Sequence, residues 1–253
     1  MRRFSSPIVL TLVFLPVLMS LLAGWAVTAR ADTAVLPATA SRELTVRYFL
    51  LIARGHLLAS IELAKNGRVD HAVIHSRHAL DEAWQELARI LPPSDAQALR
   101  QKIEAVNETV ALKSAVPEIL AANEALNTYV EGLGRGLLRN GISHHRQELD
   151  VIILLLRQAQ AEYDAAWNGV QLADRAEYQD GYGFISVARS ELRDIIPEMI
   201  TENSGVAVEI QKSVDQMAHA WPTLQPPEQP AMSKPVLRAL VTAVELNARR
   251  FAR

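Results

Sequence analysis

The sequence predicts an all-α protein, a helical bundle built from two helical hairpins plus extra helices, after a cleaved signal peptide. Three observations carry this. Apolar residues recur every three or four positions along the chain beyond residue 40, and no run of alternating β-branched residues is bounded by turns. Helix stop and start signals punctuate that pattern, among them Asn66-Gly67, Pro92-Pro93 and Asn168-Gly169. Glu43-Leu44-Thr45-Val46 leading to Asn66-Gly67 is echoed by Glu148-Leu149-Asp150-Val151 leading to Asn168-Gly169, and each stretch is followed by another helix. Two packed hairpins fit that echo.

The chain opens with Arg2 and Arg3, an apolar run from Ile8 to about Leu22, and Ala29-Arg30-Ala31 before Asp32. This is the layout of a secretory signal peptide over residues 1–31, cleaved on export. The run contains Pro16 and is short for a bilayer span. No later stretch reaches the roughly 20 apolar residues of a spanning helix, so the exported chain is expected to be soluble. Cysteine is absent, which excludes disulfides, thiolate metal sites and thiol chemistry. A bacterial periplasm suits such a chain. Without residues 1–31, Lys plus Arg falls from 26 to 23 against 28 acids, a net charge of −5. That balance gives no basis for holding nucleic acid.

The elements follow in order. The first helix runs from about Ser41 to Asn66, with Phe49, Ile52, Ala59 and Leu63 on one apolar side. Gly67 supplies a left-handed stop. Asp70 reads as the N-cap of a second helix to Leu91, and Ser94 or Asp95 starts a third. Pro117 is placed as the first residue of a fourth, which is expected to fray at Gly132, Gly134 and Gly136. Ser143 caps a long fifth helix to about Trp167. Asp174, with Glu177 three residues on, has the spacing of a capping box for a sixth. Pro197 is expected to divide it from a seventh that ends near Trp221. The helical-bundle domain thus covers 32–221. Residues 222–235 hold five prolines and read as a linker. An amphipathic, basic helix over 236–253 closes the chain.

The distinctive feature lies on the second helix. His71, His75, His78 and Glu82 are spaced 4, 3 and 4 residues apart, which places them on one stripe. The chain has only seven histidines, so this clustering is not background. Imidazole and carboxylate together suit a transition metal. Val69, Val73, Leu80, Trp84, Leu87 and Leu91 centre roughly opposite the stripe. The stripe is therefore either the wet face of the helix or one wall of a metal site. His75, His78 and Glu82 are the stronger trio, since His71 sits in the first turn. His56 on the first helix is either a core histidine or a fourth ligand. It stands 11 residues before Gly67 and His78 stands 11 after, which matches their heights in an antiparallel hairpin. His145 reads as a partly buried helix-start residue, and His144 and His219 as surface residues. Glu177 is either a capping partner or an outlying carboxylate ligand. No Gly-x-Ser-x-Gly, His-Glu-x-x-His or phosphate-binding glycine loop is present, and a non-catalytic protein is expected. A ferritin-type di-metal centre would need paired Glu-x-x-His motifs, and they are missing.

Glu177-Tyr178-Gln179-Asp180-Gly181-Tyr182-Gly183-Phe184, preceded by Glu162-Tyr163 and Asn168-Gly169, resembles the extracytoplasmic helical region of bacterial high-affinity iron permeases. Gly55-His56-Leu57-Leu58, Gly67 and the His75/His78/Glu82 set resemble secreted helical proteins related to that region. The similarity to imelysin-type periplasmic proteins is looser, because their Gly-x-His-x-x-Glu string is not matched. The resemblance spans about 43–200. The transmembrane helices of the permeases, with their Arg-Glu-x-x-Glu iron motifs, have no counterpart here. What the resemblance implies is a periplasmic accessory of metal uptake or homeostasis. It would bind a transition metal, iron foremost, through His56, His75, His78 and Glu82, beside a membrane permease or other envelope protein. The alternative is a structural or interaction module of the cell envelope with no metal.

Overall fold

A computed structural model describes residues 36–251 except 38 and 138–143. The segment expected to be a signal peptide, Ser143, the surroundings of Gly136 and the side chain of His144 lie outside the described residues. The described chain is a helical bundle.

Helix α1 (Arg42–Lys65) is the axis of the molecule. Ser41 caps it by accepting from the Leu44 amide at 3.2 Å. Sixteen of its 24 residues are buried, because α1 is apolar on nearly every side and neighbours cover it all round. It is long and apolar enough to cross a membrane, contrary to the expectation from sequence. However, 78% of its most apolar stretch is buried within the protein, so its apolar surface is spent on the core. Phe49, Leu50, Leu51, Ile52, Leu57 and Leu63 are among the most fully enclosed side chains. Each contributes about 1.5–3 kcal/mol relative to exposure.

Gly67 takes φ +72°, and the Arg68 amide returns to the Leu63 carbonyl at 2.9 Å, a Schellman stop. The turn feeds straight into α2 (Val69–His78), so Arg68, not Asp70, holds the N-cap position. Asp70 sits in the first turn, where its charge favours the helix dipole. The same rod continues through a π-helical turn (Ala79–Trp84) into α3 (Gln85–Ile90). Next come α4 (Pro93–Ala111) and α5 (Val116–Leu137). Helix α5 does not fray at its glycines. Gly134 lies under Arg47, where a Cβ would stand 2.9 Å from Nη1.

Helix α6 (His144–Ala166) leads to a minimal hairpin, β1 (Trp167–Asn168) and β2 (Gln171–Leu172), with Trp167 opposite Leu172. Asp174 then caps α7 (Arg175–Ala218), accepting from Ala176 at 2.8 Å. The break in α7 falls at Asn203 (φ −154°, ψ 89°), not at Pro197, which is carried inside the helix. Asn203 Oδ1 accepts from the Val206 amide at 3.2 Å and starts the second arm as an N-cap would.

The segment after Trp221 is pinned to the bundle. Tyr178 donates to the Thr223 carbonyl at 3.0 Å, Tyr163 donates to that of Met232 at 2.8 Å, and Lys234 donates to those of Asp164 and Trp167, both at 2.6 Å. Helix α8 (Lys234–Phe251) lies along α6 and α7 and buries Leu237, Val241, Val244 and Phe251. Helix α7 in turn lies against α1 and α2.

Candidate metal centre

Three elements meet at the site. α1 brings His56, α2 brings His75 and His78, and α7 brings Gln179 and Asp180. The local sequence makes this meeting possible. Gly55 precedes His56 and Gly183 follows Asp180 by three residues, and the two glycines let α1 and α7 cross in backbone contact. Gly181, on the other side of α7, accommodates the Trp221 indole, and a Cβ there would stand 2.8 Å from the ring. Asp180 is thereby held from both sides.

The geometry is compact. His56 Nδ1 and His75 Nδ1 lie 2.6 and 2.7 Å from Asp180 Oδ1, and His78 Nδ1 lies 3.0 Å from Oδ2. One ligand atom from each of His56, His75, His78 and Asp180 fits within a span of 4.8 Å. Asp180, His56 and His75 are buried, and His78 keeps 17% of its side-chain surface exposed. The rings stand edge to face, His56 against His78 at 5.3 Å and His75 against His78 at 5.9 Å between centroids. Phe184 closes over His56 at 4.9 Å.

The stripe therefore faces inward. The buried side of the second rod is Ala72, His75, Ser76, Ala79, Ala83 and Leu87. Small residues there let the imidazoles approach α1, while Val73, Leu80 and Trp84 are only partly buried.

Glu82 sits on the π turn just beyond His78. Its Oε2 is 3.1 Å from His56 Nε2 and its Oε1 is 4.0 Å from His78 Nδ1. π-Helical turns are often found at functional sites. His75 Nε2 is 3.0 Å from Gln179 Oε1. His71 is half-buried in the first turn of α2 and Glu177 is half-buried at the start of α7. The described geometry brings neither into the cluster. His219 is exposed. His145 is buried and meets Glu202 at 2.6 Å and Glu198 at 3.4 Å.

Burial alone would raise the pKa of the Asp180 carboxyl. The charges and hydrogen bonds of His56 and His75 reverse that and hold it well below the usual carboxylate range. For His78, burial pulls the other way from its partners. The Asp180 hydrogen bond and charge, with a smaller contribution from Glu82, outweigh burial and the opposing charge of His56, so its pKa is raised above 6.5.

Asp180 is the member of the cluster that the sequence reading did not single out. It lies inside the segment that carries the permease resemblance, but nothing in local spacing ties it to histidines 102 to 124 positions away.

Residues 140–252 match the iron permease-associated 4-helix bundle domain. The matched stretch runs from the approach to α6 to the end of α8. Its four rods are α6, the two arms of α7 on either side of Asn203, and α8. Asp180 and Gln179 lie inside it, whereas His56, His75, His78 and Glu82 lie before it. No curated protein and no solved structure matches the chain significantly.

Chemically, three imidazoles and a carboxylate form a donor set of nitrogen and oxygen that suits iron, zinc or manganese. The residues fit such an ion. All four donors converge, and the carboxylate is kept ionised where burial would otherwise protonate it.

Proposed function

We propose that this is a non-catalytic periplasmic protein that binds a transition-metal ion, iron foremost, and serves a membrane permease or other envelope protein in iron uptake. The observation that carries the reading is the convergence of His56, His75 and His78 upon Asp180. The match of residues 140–252 to a domain associated with iron permeases supports iron as the metal and a permease as the partner. The secretory layout of residues 1–31 supports the periplasm. Three of the four donors are buried and His78 is mostly covered. That favours holding an ion over transforming a substrate.

Anaerobic calorimetric titration of the purified protein with Fe(II) tests the reading. One ion per chain is expected, with loss of binding in a His75→Ala/His78→Ala double variant. Unchanged binding in that variant, or no binding of Fe(II), Mn(II) or Zn(II) by the unaltered protein, would overturn it. The second outcome would leave the envelope interaction module in its place.

A further inference from the structure

The three histidines offer the same ring atom to the centre. His56, His75 and His78 each turn Nδ1 toward the Asp180 carboxylate, at 2.6, 2.7 and 3.0 Å. Their far nitrogens are not treated alike. Nε2 of His56 faces Glu82 Oε2 at 3.1 Å, and Nε2 of His75 faces Gln179 Oε1 at 3.0 Å. Without a cation, Nδ1 of His56 and His75 donates to Asp180. An oxygen acceptor opposite Nε2 holds a proton there, so that a cation displacing the Nδ1 proton finds the lone pair on Nδ1, the usual way in which outer groups orient metal-bound imidazoles.

Glu82 therefore lies on the far side of the His56 ring from Asp180. The two nitrogens of one imidazole point away from each other, and although Glu82 Oε1 comes to 4.0 Å from His78 Nδ1, Glu82 is outside the group whose ligand atoms all lie within 4.8 Å of one another. The spacing of the inner set suits an ion as well. Metal–nitrogen bonds of about 2.1 Å put neighbouring donors about 3.0 Å apart in an octahedron and about 3.4 Å apart in a tetrahedron. The contacts of Asp180 with the three rings, 2.6–3.0 Å, are nearer the first.

We propose, resting on the metal-binding reading above, that the cation is taken by Nδ1 of His56, His75 and His78 and by the Asp180 carboxylate, and that Glu82 and Gln179 are positioning residues which fix the tautomers of His56 and His75. Glu82 thereby moves from ligand to orienter. When the cation arrives, any proton on Nδ1 leaves to solvent, and each Nε2 keeps its own against the outer oxygen. Sequence spacing favours Glu82 as a ligand because four residues separate it from His78 on one rod. The tertiary arrangement inserts the His56 ring between Glu82 and Asp180.

Two measurements test this, both with Zn(II) as a diamagnetic probe. Long-range ¹H–¹⁵N correlation spectra of the Zn(II)-loaded protein report which ring nitrogen holds the metal and which holds the proton. The expected result is metal on Nδ1 and hydrogen on Nε2 for His56 and His75. Metal on Nε2 of His56 overturns the assignment while leaving the metal-binding reading intact. The second measurement compares Glu82→Gln with Glu82→Ala. A glutamine still accepts from Nε2–H, so its Zn(II) affinity should stay within about threefold of the unaltered protein, whereas the alanine should lose about 10- to 100-fold. If the glutamine falls as far as the alanine, Glu82 is a direct ligand and the inference is wrong. Should the alanine variant fail to fold, the spectra of the unaltered protein and the glutamine variant still decide. Failure of Zn(II) to bind the unaltered protein would overturn this assignment, and failure of Fe(II) and Mn(II) as well would overturn the metal-binding reading.

Discussion

The backbones of α1 and α7 touch at Gly55 and Gly183. A Cβ built on Gly183 stands 2.2 Å from the Gly55 carbonyl oxygen, and one built on Gly55 stands 2.3 Å from Phe184 Cδ1. The obstacle at Gly183 is main chain, which cannot swing aside. Gly183→Ala must therefore part the two rods, and with them His56 and Asp180. Replacing a helical glycine by alanine ordinarily gains about 1 kcal/mol, but overpacking costs about 1–3 kcal/mol or more. The expected net is a loss of up to roughly 2 kcal/mol in chemical denaturation, together with weakened cation binding. Gly205→Ala is the contrast. The nearest atom to its Cβ is Asn203 Oδ1 at 3.8 Å, so that variant should be as stable as the unaltered protein or more so.

The crossing also shows what was legible in the sequence and what was not. Helix spans and the stops at Gly67 and Gly169 follow from local chemistry, and both glycines take positive φ. The height match of His56 with His78 also follows, because an antiparallel hairpin converts residue count into position. Which way the His stripe faces does not follow from α2 alone. Its apolar residues Val73, Leu80 and Trp84 mark the core side in the sequence pattern, yet they are only partly buried. The decisive small residues Ala72, Ala79 and Ala83 look neutral as letters. Asp180 could not be assigned, since its partners arrive through a tertiary crossing made by two glycines in distant helices. Pro197 misled in the same way. An interior proline ordinarily kinks or breaks a helix, but Pro197 is carried within α7, while Asn203 supplies a new cap and takes the kink.

Asp180 is the hub of the centre, and its replacement should separate binding from folding. Asp180→Asn keeps the volume and one acceptor but removes the charge that three imidazoles face. Cation affinity should fall by at least about 100-fold, on the order of 3 kcal/mol. The circular dichroism spectrum should remain helical. Retained affinity in a calorimetric titration would take Asp180 out of the ligand set.

The pH dependence has a definite sign. His78 is raised above its ordinary 6.5. Without a cation, its contribution to stability is thus fully present below pH 6.5 and is lost as pH rises through the raised value. Asp180 is lowered below 3.8, so its contribution is present above that pH and lost as pH falls through the depressed value. Cation binding needs His78 Nδ1 free of its proton. Affinity should then rise with pH through the window just above 6.5, by up to about tenfold per unit for each proton displaced, and level off beyond it. Thermal melts with and without Zn(II) at pH 6 and pH 8 check this. A larger Zn(II)-induced shift at pH 6 than at pH 8 would contradict it.

A second buried polar layer lies farther along α1 and should behave differently. Arg47 donates through Nε to Glu148 at 3.0 and 3.1 Å and through Nη2 to Glu191 at 2.5 Å, and Arg54 also pairs with Glu191. Arg47, Glu148 and Glu191 are each less than a tenth exposed. Removing one partner from such a set strands a charge in the core, which costs about 3–5 kcal/mol. Arg47→Met should therefore be strongly destabilising, although methionine fills much of the space. Arg47 and His56 are nine positions apart, roughly 13 Å of helix. Where the variant is folded, its cation affinity should match that of the unaltered protein. Restoring charge balance with Glu148→Gln in the same chain should recover part of the loss, because the glutamine leaves one fewer unpaired carboxylate against α1. Urea denaturation of the single and double variants measures both effects. A double variant no more stable than Arg47→Met alone would mean that the arginine is held by packing against Gly134, where its guanidinium already lies, and not by its charge.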